Sequence, residues 1–443
     1  MSMNRFCTLS TRCQSDVREG RARNSLSMIL GRSLKPIRFS LAVLFSFALL
    51  LVDVSASAQQ GSRTKAEDAK NDPDRLPPGY QAPPERLSIM DLDQPIADKE
   101  EMARLKKEAS KFYKTKTDCD VSPAGQKVVE ATIRYRLAEM TLKEKQSELP
   151  SIHKRFIDEI SNVGGPGRRP NEIADMTQLI GKEVLKQIPE LLKNNFYVRL
   201  HAVYILGEMD YAPGYSLLLQ VLQAKDIRED GNVGQPDALK VAAAMGLVRI
   251  LRFANPNAKE RTAIANAVVF ELKKTTIYWW LQIRLIEALR YCDIVGTDPG
   301  DNDRPFVVET LLSLVKDSER DWRVRTRACY ALGRVPLPKS VKPDDVVNAI
   351  AKCALELSNA AAANPSNPHW KYCFWNVYLA FHTSDTSKEK DLDVEKKPGG
   401  LLTRTKAVAQ PAYQVIVPIV NDVLNGKAPD AGSLKNLNDF VKK

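Results

Sequence analysis

The sequence predicts an all-α fold, an array of about five stacked helix pairs, on three observations. A helix motif recurs at a nearly fixed period, each copy follows a leucine-rich helical segment, and no strand alternation is sustained anywhere. The clearest copy is Asp321–Gly333, in which Val324, Ala328, Ala331 and Leu332 share one helix face. Two of these residues are small enough for a neighbouring helix to come close. Val198–Gly207 repeats the pattern, and weaker copies begin at Leu239 and Ile283. Reference positions 198, 239, 283 and 324 are 41, 44 and 41 residues apart. A period in this range signals helix pairs that bury their apolar faces on one another.

Taken in order, the chain opens with a targeting signal. Arg32, Lys35 and Arg38 precede the apolar run Leu41–Val52, and Ala56-Ser-Ala58 supplies small residues before a cut ahead of Gln59. Basic region, short apolar core and Ala-x-Ala site read as a secretory signal peptide over residues 1–58. Met28 would be a more ordinary start. The mature chain is then expected to be exported, to the periplasm or outside the cell, with no membrane span, since the apolar run is short for one. Residues 59–98 are rich in Pro, Asp, Lys, Gln and Gly and read as linker. Lys99–Phe112 reads as a short exposed helix with Met102, Leu105 and Ala109 as a narrow stripe, so that 59–121 is linker as a whole.

The packed body is expected over 122–428. Val128, Val129, Thr132, Ile133 and Leu137 mark one helix and 149–160 another, which stops at Asn162–Gly167. That glycine-rich turn lacks the spacing and the Lys-Ser/Thr of a phosphate-binding loop and reads as a plain connection. Pairs follow at 171–193 with 196–210, 213–225 with 237–252, 257–274 with 277–292, 304–317 with 321–334, and 343–361 with 368–382. A polar insertion, 226–237, interrupts the second pair. In the fifth, Trp370 and Lys371 stand where Val-Arg is expected. A charged loop, 383–408, leads to a last helix, Pro411–Leu424, that covers the open end; 429–443 is a tail.

An Asp-x-x-Val-Arg-x-x-x-Ala-x-x-Ala-Leu-Gly helix at this period, behind a Leu-Leu-rich helix, resembles the HEAT repeat. The match is close at 198 and 324, fair at 239 and 283, and covers about 171–382. It departs at Glu287, where the pattern wants a small residue. The resemblance implies a right-handed superhelix whose second helices line a concave side. Such arrays bind partners in very different systems, so a mode of action is implied and an activity is not.

The composition narrows the chemistry. The net charge of +11 comes in part from the first 58 residues, and the remainder holds 57 basic and 51 acidic residues. That mixed surface is weak ground for nucleic-acid binding, and none is expected. Cys119, Cys292, Cys329, Cys353 and Cys373 have no short spacings and read as free, packed residues rather than a disulfide framework. His153, His201, His369 and His382 lie far apart with no metal-ligand spacing, and no hydrolase or metalloprotease motif occurs. No cofactor, metal or catalytic residue is expected.

Two recurrent features remain. A basic residue follows each reference position: Arg199, Lys240, Arg284 and Arg325, with Lys371 as an uncertain fifth. Stacking would align them into a ladder, read as internal struts to turn carboxylates such as Asp321 or Asp237. Aromatic residues also gather where the second helices begin, and adjacent Trp279 and Trp280 cannot both face one core. Trp279, Trp280, Tyr204, Arg249, Arg327, Tyr330 and Arg334 are the candidate binding residues. The leading expectation is an exported, non-catalytic scaffold that binds another protein in the periplasm or cell envelope. The alternatives are a HEAT-like alkylpurine DNA glycosylase, against which export argues, and a binder of anionic envelope polymers.

Overall fold

The computed structural model describes residues 95–224, 237–274, 277–295, 304–382 and 399–443. The chain divides into two units, Met1–Lys65 and Ala66–Lys443, and all described residues belong to the second. The expected signal peptide, the linker to residue 94, and most of the 226–237 insertion and 383–408 loop lie outside the described residues. The described residues form seventeen α-helices and no strand. They are α1 (Lys99–Ala109), α2 (Phe112–Asp118), α3 (Pro123–Glu139), α4 (Leu149–Ile160), α5 (Pro170–Leu191), α6 (Phe196–Glu208), α7 (Tyr215–Gln223), α8 (Asp237–Arg249) and α9 (Ala258–Leu272). Then come α10 (Trp279–Tyr291), α11 (Phe306–Lys316), α12 (Trp322–Leu332), α13 (Pro343–Ala363), α14 (Trp370–Phe381), α15 (Leu401–Arg404), α16 (Lys406–Leu424) and α17 (Ala431–Val441).

Local chemistry sets the helix ends. Asn195 caps α6 by accepting from the Val198 amide at 3.0 Å, and Asp321 caps α12 by accepting from Arg323 at 2.8 Å. Asn257 and Glu260 form a reciprocal capping box at the start of α9. Asp210, Asn255 and Asp293, which follow α6, α8 and α10, all have left-handed backbone, where short polar side chains are tolerated. The end of α8 widens into a π-turn over Ile250–Ala254.

The helices pack in two rows. In one, α4, α6, α8, α10, α12, α14 and α16 each contact the next; in the other, α7, α9, α11 and α13 do the same. Antiparallel partners α7/α8, α9/α10 and α11/α12 join the rows, and one continuous apolar core runs from Phe112 to Leu437. Helix α16 packs on α13 and α14, and α17 on α13 and α16, so the last helices cover the ends of both rows.

Both ends of the packed body extend further than the sequence predicts. Helix α1 packs along α3, with Leu105 buried beside Ala131 and Ala138, and Arg134 reaches Glu101 at 2.7 Å. A narrow stripe is enough because α3 offers alanines that let α1 come close. Helix α2 buries Phe112, and α17, in the expected tail, buries Leu437 completely.

Burial also corrects the register of two repeats. Positions 0, +4, +7 and +8 are buried at Val198, Ala202, Ile205 and Leu206, and likewise from Leu239 and from Val324. In α10 the buried set is Leu281, Leu285, Ala288 and Leu289, so the reference residue is Leu281, two before Ile283. In α14 it is Cys373, Val377, Ala380 and Phe381, three after Trp370. The position after the reference is therefore occupied by Arg199, Lys240, Gln282, Arg325 and Phe374, all at most 6% exposed. Arg284 is not part of that ladder, and Glu287 does not replace the small residue.

Candidate functional site

The buried ladder makes internal contacts. Arg325 donates to the Val315 carbonyl at 3.0 Å and to Glu356 at 2.6 Å, and stacks over Trp322. It thus ties α12 to α11 and to α13, and its carboxylate partner is Glu356 rather than Asp321. Asp321 instead holds Arg323 at 2.6 Å. Gln282 makes the corresponding link in α10, donating to the Ile277 carbonyl and accepting from Arg320.

The corrected register puts His201, Ala242, Arg284, Arg327 and Asn376 at one shared position, +3, where Ala242 and Asn376 are buried and the other three half-buried. Position +6 holds Tyr204, Met245, Glu287 and Tyr330. Two polar groups arise there.

The larger spans α10, α12 and α14. Glu287 is approached by Arg284 at 2.8 Å, Arg327 at 3.4 Å and Arg290 at 3.9 Å. Burial penalises its charge, yet the Arg327, Arg284 and Arg290 guanidiniums together hold it below the ordinary glutamate range. Arg290 is enclosed, donating to the Tyr330 and Tyr291 hydroxyls and lying over both rings. Arg327 also donates to Asn376 at 3.2 Å. Tyr372 lies beside this group: burial raises its phenol, and the Arg327 and Arg284 charges oppose that. Trp279 is sandwiched between Arg323, 3.6 Å from its ring, and Trp280, stacked at 4.4 Å. Trp280 is 37% exposed, Tyr372 38% and Trp375 43%.

The second group joins α4 to α6. The His153 and His201 rings lie 5.2 Å apart, each edge-on to Tyr204, and His153 Nε2 faces Glu208 at 3.1 Å. Burial and the neighbouring His153 pull His201 down to about 4. Burial works against the Glu208 charge, but the His153 hydrogen bond together with the His153, Arg249 and His201 charges holds it below the ordinary glutamate range. No sequence spacing announces this pair.

The candidate residues thus fall into separate places. Trp279, Trp280, Arg327, Tyr330 and Arg334 belong to the α10–α12 region, where Arg327 and Arg334 both flank the Tyr330 ring. Tyr330 itself is only 7% exposed and acts as a platform inside the group. Tyr204 belongs to the histidine group, and Arg249 donates to the Gly207 carbonyl at 3.0 Å. Glu287, Tyr372 and Trp375 complete the α10–α14 face.

Among the described residues no group of three or more His, Cys, Asp or Glu is placed to hold a metal ion, and no helix is long and apolar enough to cross a membrane. The five described cysteines are free and buried, and burial pushes the Cys292 thiol up to about 12, far from a reactive thiolate. The chain matches no protein-family model, no curated protein and no solved structure.

Proposed function

We propose that this chain is an exported, non-catalytic HEAT-like α-solenoid that presents the face of its second helices to another protein in the periplasm or cell envelope. The two packed rows, the internal ladder and the small residues between successive second helices support the solenoid reading. The basic segment, apolar run and Ala56-Ser-Ala58 support export. The observation that carries the binding reading is the α10–α12–α14 face. Trp280 and Tyr372 are exposed there near Arg284 and Arg327, Trp375 is exposed on α14 three residues after Tyr372, and aromatic and arginine side chains are what binding centres use most.

Photoreactive side chains placed at Trp280 and at Trp375 in cells test this, with Phe270, 59% exposed on α9 of the other row, as the control. Protein adducts at 280 and 375 and none at 270 are expected. Equal adducts at all three positions, or none at 280 and 375, would reject the reading. Sequencing the N-terminus of the protein in a periplasmic fraction tests export, with Gln59 as the expected first residue.

A further inference from the structure

Two of the buried thiols touch each other. Cys329 on α12 and Cys353 on α13 are 0% and 1% exposed, and their side chains share a hydrogen bond. The helix register brings them together independently of that bond. Arg325 reaches from α12 to Glu356 on α13 at 2.6 Å. Cys329 lies four residues after Arg325, and Cys353 three before Glu356, so each is one turn from the bridge on the same face of its helix. The two contacts run in opposite order along the helices, as antiparallel neighbours require.

The other described cysteines have different partners. Cys119 donates to the Lys116 carbonyl at 3.7 Å, Cys292 lies near Arg261, and Cys373 on α14 hydrogen-bonds with Thr326. Sulfurs in contact on facing helices need only small side-chain rotations to reach the disulfide bond length of about 2.05 Å.

We infer that Cys329 and Cys353 are a disulfide-forming pair that pins α12 to α13 in the exported chain. This rests on the export reading above, because disulfides form and persist in oxidising compartments. The oxidant is another disulfide, carried by a thiol oxidoreductase of that compartment or by oxidised glutathione. One protein thiolate attacks it, forming a mixed disulfide and releasing the first carrier thiol. The second protein thiolate then attacks the protein sulfur of that bond and releases the other carrier thiol. Two electrons pass to the carrier, whose two sulfurs leave as thiols with the two protons that the cysteines gave up.

The surroundings favour Cys353 as the first nucleophile. Its hydrogen bond with Cys329 lowers its thiol against burial, and the Arg325 charge adds to that, whereas burial raises Cys329. Both sulfurs are closed to solvent once the helices have packed, so the bond forms while the chain folds and is shielded from reductants afterwards. It ties the helix that carries Arg327 and Tyr330 to the other row.

The test traps thiols by alkylation in intact cells, then maps linked peptides of the purified chain by mass spectrometry without reductant. Cleavage after Arg327, Arg334, Lys352 and Lys371 puts Cys329, Cys353 and Cys373 on separate peptides. A Cys329–Cys353 link is expected, with Cys119, Cys292 and Cys373 alkylated. Refolding the reduced chain with oxidised glutathione should give the same link and raise its unfolding midpoint by about 4 °C over the reduced form. Cys353→Ala should show no difference between oxidised and reduced forms, whatever its own stability. The link on refolding, together with free thiols in cells and an uncleaved N-terminus, would reject export and leave the pair standing. Free thiols in a periplasmic chain that begins at Gln59, a link through Cys373, or no link on refolding would each overturn the pair and leave export standing.

Discussion

Gly207 on α6 and Gly246 on α8 meet so closely that a β-carbon on Gly207 would stand 2.7 Å from the Gly246 Cα. The same contact recurs between α12 and α14, where a β-carbon on Gly333 would lie 2.7 Å from the Ala380 Cα. In both cases a glycine at +9 of one second helix abuts the small residue at +7 of the next. Ala in place of helical Gly ordinarily gains about 0.5–1 kcal/mol. At Gly207 the obstacle is backbone, which no rotamer change relieves, and overpacking of that kind costs about 1–3 kcal/mol. Gly207→Ala should therefore destabilise on balance. Gly246→Ala meets the Leu218 side chain at 2.9 Å and should cost less, because that chain can shift. Denaturant unfolding of the two variants gives the comparison.

The register correction separates two arginines that the sequence treats alike. Arg325 is 2% exposed and bonded to two neighbouring helices, so Arg325→Ala leaves Glu356 without that partner and the Val315 carbonyl without its donor. A loss of roughly 2–4 kcal/mol is expected. Arg284 is half-buried and shares Glu287 with Arg327 and Arg290, so Arg284→Gln leaves that carboxylate its other partners and should cost less than Arg325→Ala, about 1 kcal/mol. Similar losses at both positions, read from denaturation midpoints, would contradict the corrected register.

Arg404 closes the C-terminal end of α12. Although the residue is exposed, its guanidinium donates to the Leu332 carbonyl at 3.2 Å, to Gly333 at 2.5 Å and to Val335. These carbonyls lack partners within the helix, and a cation there also complements the helix dipole. Arg404→Ala should lower stability by about 1–2 kcal/mol. Hydrogen exchange should show the loss concentrated at the end of α12.

Acid should weaken the α4–α6 junction. The folded-state value of His201 lies at about 4, below its ordinary 6.5, so the unfolded chain binds the extra proton first. Stability is then full above about pH 6.5 and falls as the pH drops toward 4. Glu208, held low by His153, acts in the same direction: its stabilisation is present above the ordinary glutamate range and is lost as acid protonates it. A loss of roughly 2 kcal/mol between pH 7 and 4.5 is expected from His201. His201→Gln, which cannot take up that proton, should flatten the upper part of the profile in unfolding experiments at a series of pH values.

Much of the fold was legible in the sequence. The helices from α3 to α14 declare themselves through apolar residues at helical spacing and through caps such as Asn195 and Asp321, because both signals are local. The repeat register was legible only where the pattern is unambiguous. In α10, Ile283-Arg284 imitates the Val-Arg of α12 two residues late, and only the complete burial of Leu281 and Leu285 shows which side faces the core. The docking of α1 and α17 was not legible, since a single leucine in each is little signal until a neighbour supplies the other half of the contact.

The sequence alone determined an all-helical chain with a repeat near 41 residues, because helix periodicity and small-residue seams are written in consecutive residues. Only the tertiary structure decided which side chains form groups. His153 and His201 are 48 residues apart and come within 5.2 Å because α4 packs on α6. Glu287, which looked like a fault in a repeat, sits among Arg284, Arg290 and Arg327 because α10 and α12 lie side by side. Charge and contact depend on distance through space, and helix packing sets that distance.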